Sequence, residues 1–77
     1  MTSKVKKKYR VIKWRDHFSD SAWKTEKELK AWATKPVICV SRGFVTYEDK
    51  YVIVLSSSFD GEESWGENIS ILKNCII

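Results

Sequence analysis

The pattern of hydrophobic and polar positions is strongest over residues 37–58, where β-branched and aromatic residues predict two long antiparallel strands. The first strand is predicted to run to Tyr47 and the second to begin at Tyr51, so that the polar residues 48–50 form the turn. Gly43 lies inside the first strand, where a glycine costs stability unless it permits a bulge or a sharp bend. We therefore expect a curled sheet organised around this hairpin.

The flanking segments predict shorter strands. Alternation over residues 9–18 indicates a first strand with Ile12 and Trp14 on one face. Residues 68–72 alternate again and indicate a further strand. After a tight turn, residues 75–77 are expected to form a last short strand.

Residues 25–36 predict the single helix of the chain. Thr25 and Glu28 have the spacing of a capping box, and Pro36 ends the helical pattern. The apolar stripe is narrow, so the helix is expected to lie across the edge of the sheet or the mouth of a barrel. The predicted fold is mainly β: a small five-stranded barrel of the Src-homology-3-like or Sm-like kind, with one short helix between the first two strands.

Composition indicates one small globular domain. Of the 77 residues, 43% are hydrophobic and 31% are charged, and a chain of this length buries only about 60 to 65% of its unfolded surface. We predict a basic flexible tail at residues 1–8 and a single barrel domain at residues 9–77. The sequence has neither an apolar run of membrane-spanning length nor a signal-peptide pattern, so we expect a cytoplasmic protein without membrane contact.

Charge is distributed unevenly along the chain. The first fifteen residues hold seven basic side chains and no acid, whereas residues 48–67 hold six acids against the single Lys50. Such polarity can steer an anionic ligand to one end of the molecule. The alternative is that these charges are only the solvated termini and loop tips of a soluble domain.

Basic residues interleaved with aromatic rings form the strongest candidate for a binding surface. Guanidinium and ammonium groups neutralise phosphate, and aromatic rings stack on bases, so this combination suits an anionic ligand that also carries flat rings. The candidate ligand-binding residues are Tyr9, Arg10, Lys13, Arg15, His17, Trp23, Lys24, Arg42 and Trp65. The alternative is that Trp14 and Trp32 belong to the core and the lysines are simply solvated.

Catalytic and metal sites have little support in the sequence. His17 follows Asp16 and has three possible roles: a base, a metal ligand together with Cys39 and Cys75, or a structural or ligand-orienting residue. No two potential metal ligands have close spacing, and no serine or glycine pattern indicates a nucleophile or a phosphate loop. We therefore expect no enzyme activity, metal or cofactor, and two reduced cysteines that act as small hydrophobic residues.

Several motifs of the chain resemble those of small, uncharacterised proteins of tailed phages and prophages. They are Trp14-Arg15-Asp16-His17-Phe18, Trp23, Val40-Ser41-Arg42-Gly43-Phe44, Glu48-Asp49, Tyr51 to Leu55, Gly66, and Ile71-Leu72-Lys73-Asn74-Cys75-Ile76. The resemblance covers residues 9–77. It departs from the pattern at Leu72, where those proteins often have proline, and at Asn74, where they have serine. It implies a phage-encoded accessory protein with a small barrel, and it carries over no catalytic residues.

The function expected from the sequence is therefore stoichiometric binding rather than catalysis. We expect a phage-encoded accessory protein that acts in the host cytoplasm, either by inhibiting a host component such as one of host defence or by sequestering a nucleotide-type ligand. The alternative is a nucleic-acid-binding small β-barrel. The expected partners are thus a host protein, an anionic nucleotide-type ligand or a nucleic acid, and the sequence leaves a homo-oligomer open.

Overall fold

The computed structural model describes residues 7–77, and residues 1–6 of the predicted basic tail lie outside the described residues. Within this range the elements are β1 (Tyr9–Arg15), α1 (Glu26–Ala33), β2 (Ile38–Glu48), β3 (Val52–Phe59), β4 (Trp65–Leu72) and a 3₁₀ turn (Lys73–Cys75). The strands form one antiparallel sheet in the order β1-β2-β3-β4. The predicted mainly β fold, with one helix between the first two strands, is confirmed.

The end of the chain differs from the prediction, because its last three residues do not form a fifth strand. Cys75 belongs to the 3₁₀ turn, which leaves only two residues to pair with β1. Ile76 makes an isolated bridge with Trp14. The Ile77 N–H donates to the Lys13 carbonyl over 2.9 Å. The described part of the sheet therefore has four strands rather than five, and the chain end returns to β1 through two residues.

The loop between β3 and β4, which we name the acidic loop, covers only residues 60–64, because β3 continues to Phe59 and β4 begins at Trp65. The predicted strands end at residue 58 and resume at residue 68, so the sequence predicts a longer connection. Asp60 explains the difference. Its Oδ1 accepts hydrogen bonds from the backbone N–H groups of residues 62–64 at 2.8–3.1 Å. One carboxylate thus satisfies the backbone of the whole turn, so the hairpin closes within a few residues.

The hydrophobic core lies on the inner face of the sheet. Its buried side chains are Ile12, Ile53, Leu55 and Ile71. Half-buried side chains pack around them: Trp14, Val45, Ile69 and Ile76. As predicted, Ile12 and Trp14 share this face. Since β1 and β4 lie at opposite ends of the strand order, their contact with the same core requires the sheet to curl.

Gly43 is buried where β2 and β3 approach each other closely. A Cβ atom at this position would lie 2.8 Å from the Ser56 carbonyl oxygen, which is closer than side-chain carbon atoms approach a backbone. Ser56 is also buried, and its Oγ lies 2.8 Å from the Thr46 Oγ1. The shift in register between the two strands lies further on, between Val45 and Tyr47. Glycine at position 43 is therefore needed for a close backbone approach and not for the bulge itself.

The helix begins with the predicted capping box. The Thr25 hydroxyl accepts from the Glu28 N–H over 3.2 Å, and the Glu28 carboxylate accepts from the Thr25 N–H over 2.8 Å. No residue of α1 is buried. Its attachment is Trp32, whose ring meets that of Phe18 edge to face with 4.8 Å between centroids. The helix therefore lies against the segment that follows β1.

The turn between β2 and β3 is organised by Asp49. Its Oδ1 accepts from the backbone N–H groups of Tyr51 and Val52 over 2.8 and 2.9 Å. Its Oδ2 accepts from the Tyr47 hydroxyl over 2.9 Å. These hydrogen bonds hold the pKa of the Asp49 carboxyl below its usual value, and the bond from the Val52 N–H has the largest effect.

We expect Gly43→Ala to destabilise the fold by about 1–3 kcal/mol, the usual cost of overpacking, because the added methyl group would overlap the Ser56 backbone. Gly43→Val should cost at least as much. The matched control is Gly66→Ala, whose added Cβ would have only the Ser58 Cβ as a neighbour, at 3.7 Å. Urea unfolding measures the three midpoints, and a Gly43→Ala midpoint equal to that of the wild type would contradict the close approach of β2 and β3.

We expect Asp49→Asn to lower the melting temperature at pH 7 and to have a smaller effect as the pH falls. The pKa of Asp49 is lowered from 3.8 in the folded protein, so its stabilisation is present above about pH 4 and is lost as the pH falls through the folded pKa. Thermal unfolding between pH 7 and pH 2 measures the difference, with Glu62→Gln in the other loop as control. A difference that stays constant down to pH 2 would show that the charge of Asp49 does not stabilise the turn.

Candidate functional site

The outer face of the β1–β2 hairpin carries alternating basic and apolar side chains, and we name it the basic face. Its residues are Tyr9, Val11, Lys13, Arg15, Ile38, Val40, Arg42 and Phe44. The strand register places Arg42 opposite Val11, Lys13 opposite Val40, and Arg15 opposite Ile38. Each of these pairs joins one cation to one aliphatic side chain, and the face contains no acid.

The aliphatic side chains of the basic face are unusually open to solvent. Val11 and Val40 are 57% and 53% exposed, and Ile38 is 45% exposed. Single exposed hydrophobic residues are common on protein surfaces, but contiguous ones mark surfaces that contact a ligand or a partner. The basic face therefore offers charge and apolar contact side by side.

Four rings continue from the basic face towards the β3–β4 hairpin, and we name them the aromatic row. The centroid distance from Tyr9 to Phe44 is 5.1 Å, from Phe44 to Trp65 it is 5.6 Å, and from Trp65 to Phe59 it is 4.5 Å. Tyr9 is exposed, whereas the other three rings are half-buried. Tyr9 is thus the ring of the row most open to stacking on a ligand.

The structure brings together some of the predicted site residues. Tyr9, Lys13, Arg15 and Arg42 share the basic face, and Trp65 reaches it through the aromatic row. These residues come from β1, β2 and β4, of which β1 and β2 pair directly with each other. The predicted combination of cations and rings therefore exists as one continuous surface.

The other predicted residues lie elsewhere. Arg10 is on the inner side of β1 and contributes, after the larger effect of Lys73, to lowering the pKa of Glu48. Lys24 is paired with Asp20, with 2.6 Å between Nζ and Oδ2. The Lys24 ammonium also lies 5.7 Å from the Trp32 ring centroid. These contacts remove Arg10 and Lys24 from the basic face.

Trp23 is fully exposed in the loop between β1 and α1. Asp20 holds this loop, because its Oδ1 accepts from the Ala22 N–H over 2.9 Å. Trp23 is therefore presented to solvent next to an ordered turn, apart from the basic face. Its exposure makes it a separate candidate contact residue.

A cleft of about 420 Å³ opens at the end of β1, and we name it the end cleft. It is lined by residues 15–18, by Trp32 and Ala33 of α1, and by Asn74 and Cys75 of the 3₁₀ turn. An adjoining cavity of about 260 Å³ shares Arg15, Asp16, His17 and Cys75 with it. The volume of the end cleft lies within the ~300–1,000 Å³ typical of small-molecule sites.

Asp16 is the carboxylate of the end cleft. Its backbone N–H donates to the Val37 carbonyl over 2.8 Å, which fixes the residue beside the start of β2. Its Oδ1 accepts from the His17 N–H over 2.8 Å, and its Oδ2 lies 3.9 Å from the Cys39 Sγ. A carboxylate has about four acceptor positions, so the Asp16 carboxylate can accept further hydrogen bonds.

His17 is not arranged as a base held by Asp16. The distance from His17 Nδ1 to Asp16 Oδ1 is 3.7 Å, which is too long for a hydrogen bond, and the imidazole is almost wholly exposed. Cys39 and Cys75 are both free and half-buried. Within residues 7–77, no three His, Cys, Asp or Glu side chains are grouped so that they could hold a metal ion.

Sequence reasoning missed the apolar half of the basic face and most of the end cleft. The missed residues are Val11, Ile38, Val40 and Phe44 on the face, and Asp16, Phe18, Trp32 and Asn74 in the cleft. The same alternation that predicts Ile12 on the inner face predicts Val11 on the outer face, so the β1 part of the basic face could have been found from the sequence. The cleft had none, since it joins segments far apart in the chain.

Comparison with known proteins gives no match: no family model, no curated protein and no solved structure matches this chain. Among the described residues, no helix is both long and apolar enough to cross a membrane.

We expect replacement of Trp65, in β4, to lower the stability more than replacement of Trp23, in the loop between β1 and α1. Trp65→Ala should cost about 1–3 kcal/mol, because it removes a half-buried ring and its contacts with Phe44 and Phe59. Trp23→Ala should change stability by less than about 0.5 kcal/mol, since its ring is exposed. Urea unfolding of both variants checks this, and equal losses would mean that the aromatic row does not stabilise the sheet.

Proposed function

We propose that this is a non-catalytic binding protein that takes single-stranded nucleic acid along the basic face. The observation that supports this most is the row of three cross-strand pairs, each with one cation and one exposed aliphatic side chain, on a face without acids. Lysine and arginine neutralise phosphates, while apolar and aromatic groups contact bases without sequence preference. Tyr9 at one end of the face supplies a ring for stacking.

The extent of the face favours a strand over an isolated nucleotide. A strand of seven residues such as β1 spans roughly 20 Å. Tyr9 lies at its start, Lys13 and Arg15 lie in its second half, and Arg42 lies opposite Val11 between them. A single nucleotide would cover only part of this surface. Sequestration of a nucleotide-type ligand is therefore the narrower form of the same proposal.

The phage connection and the location in the host cytoplasm are also proposals, and they rest on the motifs that begin with Trp14. A small protein that covers a nucleic-acid strand would compete with any host component that needs the same strand. Inhibition of a host activity by stoichiometric binding follows from that competition. It requires no catalytic group on this chain.

We further propose that the sheet is a small barrel of the Src-homology-3-like or Sm-like kind. Two contacts support this: the bridge between Ile76 and Trp14, and the hydrogen bond from Ile77 to Lys13. Return of the chain end to the first strand is what closure of a small sheet requires, and closure protects strand edges.

A second candidate function, direct binding of a host protein, is favoured by Trp23. Tryptophan is enriched among the residues that dominate protein interfaces, and Trp23 is fully exposed beside a turn held by Asp20. Trp23→Ala separates the two candidates. It should weaken a protein complex and leave binding to the basic face unchanged.

The proposed function predicts a steep dependence of binding on salt. Fluorescence anisotropy of a labelled oligothymidylate, measured over a range of salt concentrations, should give a linear plot of log affinity against log salt. Lys13→Gln and Arg42→Gln should each weaken binding and reduce the slope by about 0.7, the value for one phosphate contact on a single strand. Lys27→Gln on the exposed helix is the matched control and should change neither quantity.

The same experiment tests the ring contact. Tyr9→Ala should weaken binding by about 1–3 kcal/mol without changing the salt slope, because stacking involves no ion release. Tyr51→Ala, an exposed tyrosine of the β2–β3 turn, is the control. If the Lys13 and Arg42 variants bind as the wild type does, the basic face is not the binding surface and the proposal fails.

A further inference from the structure

Arg15 belongs to both the basic face and the end cleft. Its register partner on the face is Ile38, and it also lines the cleft with Asp16 and Trp32. A nucleic-acid strand that follows β1 towards its end would therefore reach the cleft at Arg15. A phosphate bound by Arg15 would leave the attached base beside the cleft opening.

The cleft has the shape and surface expected of a base-binding pocket. Its volume of about 420 Å³ exceeds that of one base, and two aromatic side chains, Phe18 and Trp32, line it. The two rings pack edge to face with each other, which holds Trp32 in place. Aromatic side chains of this kind are the usual contacts for bases that are splayed out of a single strand.

The polar groups of the cleft limit which base fits. An ionised carboxylate accepts hydrogen bonds and donates none. The Asp16 Oδ1 accepts from the His17 N–H, and the Oδ2 faces the weak thiol donor of Cys39. A base edge that presents two neighbouring N–H donors would match both carboxylate oxygens. Guanine has such an edge, with N1–H and the N2 amino group. On adenine, cytosine and thymine, no two neighbouring positions of the base edge are both N–H donors.

We propose that the end cleft binds a guanine base, with the Asp16 carboxylate accepting from N1–H and the N2 amino group and with Trp32 and Phe18 contacting the ring. This inference rests on the proposed function, since it assigns the base preference of a strand bound along the basic face. The neighbouring side-chain amide of Asn74 supplies a donor for the guanine O6 within the same cleft. The basic face would bind a strand without sequence preference, and the end cleft would select guanine at one position of that strand.

The test compares labelled oligothymidylates in which one terminal thymine is replaced by guanine or by hypoxanthine. Hypoxanthine is the matched ligand control, because it lacks only the N2 amino group. Wild-type protein should bind the guanine-containing strand at least about fivefold more tightly than the other two, as expected for one bidentate base contact. Guanosine and inosine monophosphates are titrated in parallel by calorimetry, so that the cleft is also tested without the strand.

Asp16→Asn is the decisive variant, since asparagine keeps the size of the side chain and an oxygen for the His17 N–H but loses the paired acceptor. It should abolish the guanine preference, and it should not weaken binding to plain oligothymidylate, because it removes one negative charge beside the cations of β1. Asp20→Asn, in the same loop between β1 and α1, is the control for loss of one negative charge and should keep the preference. Thermal unfolding of both variants confirms that they are folded.

The outcomes separate this inference from the proposed function. Normal oligothymidylate binding without a guanine preference in the wild type would overturn the guanine site and leave the proposed function standing. Guanosine monophosphate binding that is lost in Asp16→Asn, without any oligonucleotide binding, would support the cleft and overturn the basic face as a strand site. A guanine preference that survives Asp16→Asn would also overturn the assignment, and no binding of any probe would overturn both proposals.

Discussion

The close approach of the Ser56 backbone to Gly43 is the constraint on which the rest of the structure depends. A side chain at position 43 would need the space that the Ser56 carbonyl occupies, 2.8 Å from where its Cβ would lie. With that space free, β2 and β3 can cross closely and the sheet can curl until β1 and β4 share one core. Without curvature, Ile12 and Ile71 would not belong to one core cluster, and four strands of this length would leave their apolar face open to water.

The curled sheet buries its inner face, and the outer face of β1 and β2 stays exposed. Within residues 7–77 the elements other than the sheet are one helix and a 3₁₀ turn, and α1 contributes no buried residue. The outer side chains of β1 and β2 must therefore be compatible with water or with a partner. Val11, Val40 and Ile38 are poorly suited to water alone, whereas Lys13 and Arg42 between them keep the face soluble. This mixture is consistent with a surface that contacts apolar and anionic groups together.

The features that could be predicted from the sequence are those specified by residues close together in the chain. The capping box of Thr25 and Glu28 spans three positions, and the strand faces follow from alternation, so both were correctly predicted. The short acidic loop was not, because hydrophobic patterning does not show that Asp60 binds the backbone of the whole turn. The pairing of Val11 with Arg42 depends on register between strands separated by a helix, which no local pattern specifies. Therefore the cations of the site could be predicted, and the surface they form could not.

Asp16 is difficult to explain if this end of the molecule serves only to neutralise phosphates. It follows directly after Arg15 and opposes the attraction that the cations of β1 exert on an anion. It is also not needed to hold a catalytic imidazole, since His17 Nδ1 lies 3.7 Å away and is exposed. Its backbone bond to Val37 nevertheless fixes it at the mouth of the one cleft that Trp32 lines. A fixed acceptor at that position can discriminate between ligands by their donors. In the proposed function, the cations of β1 attract any strand, and the Asp16 carboxylate accepts only from a base edge with suitable donors.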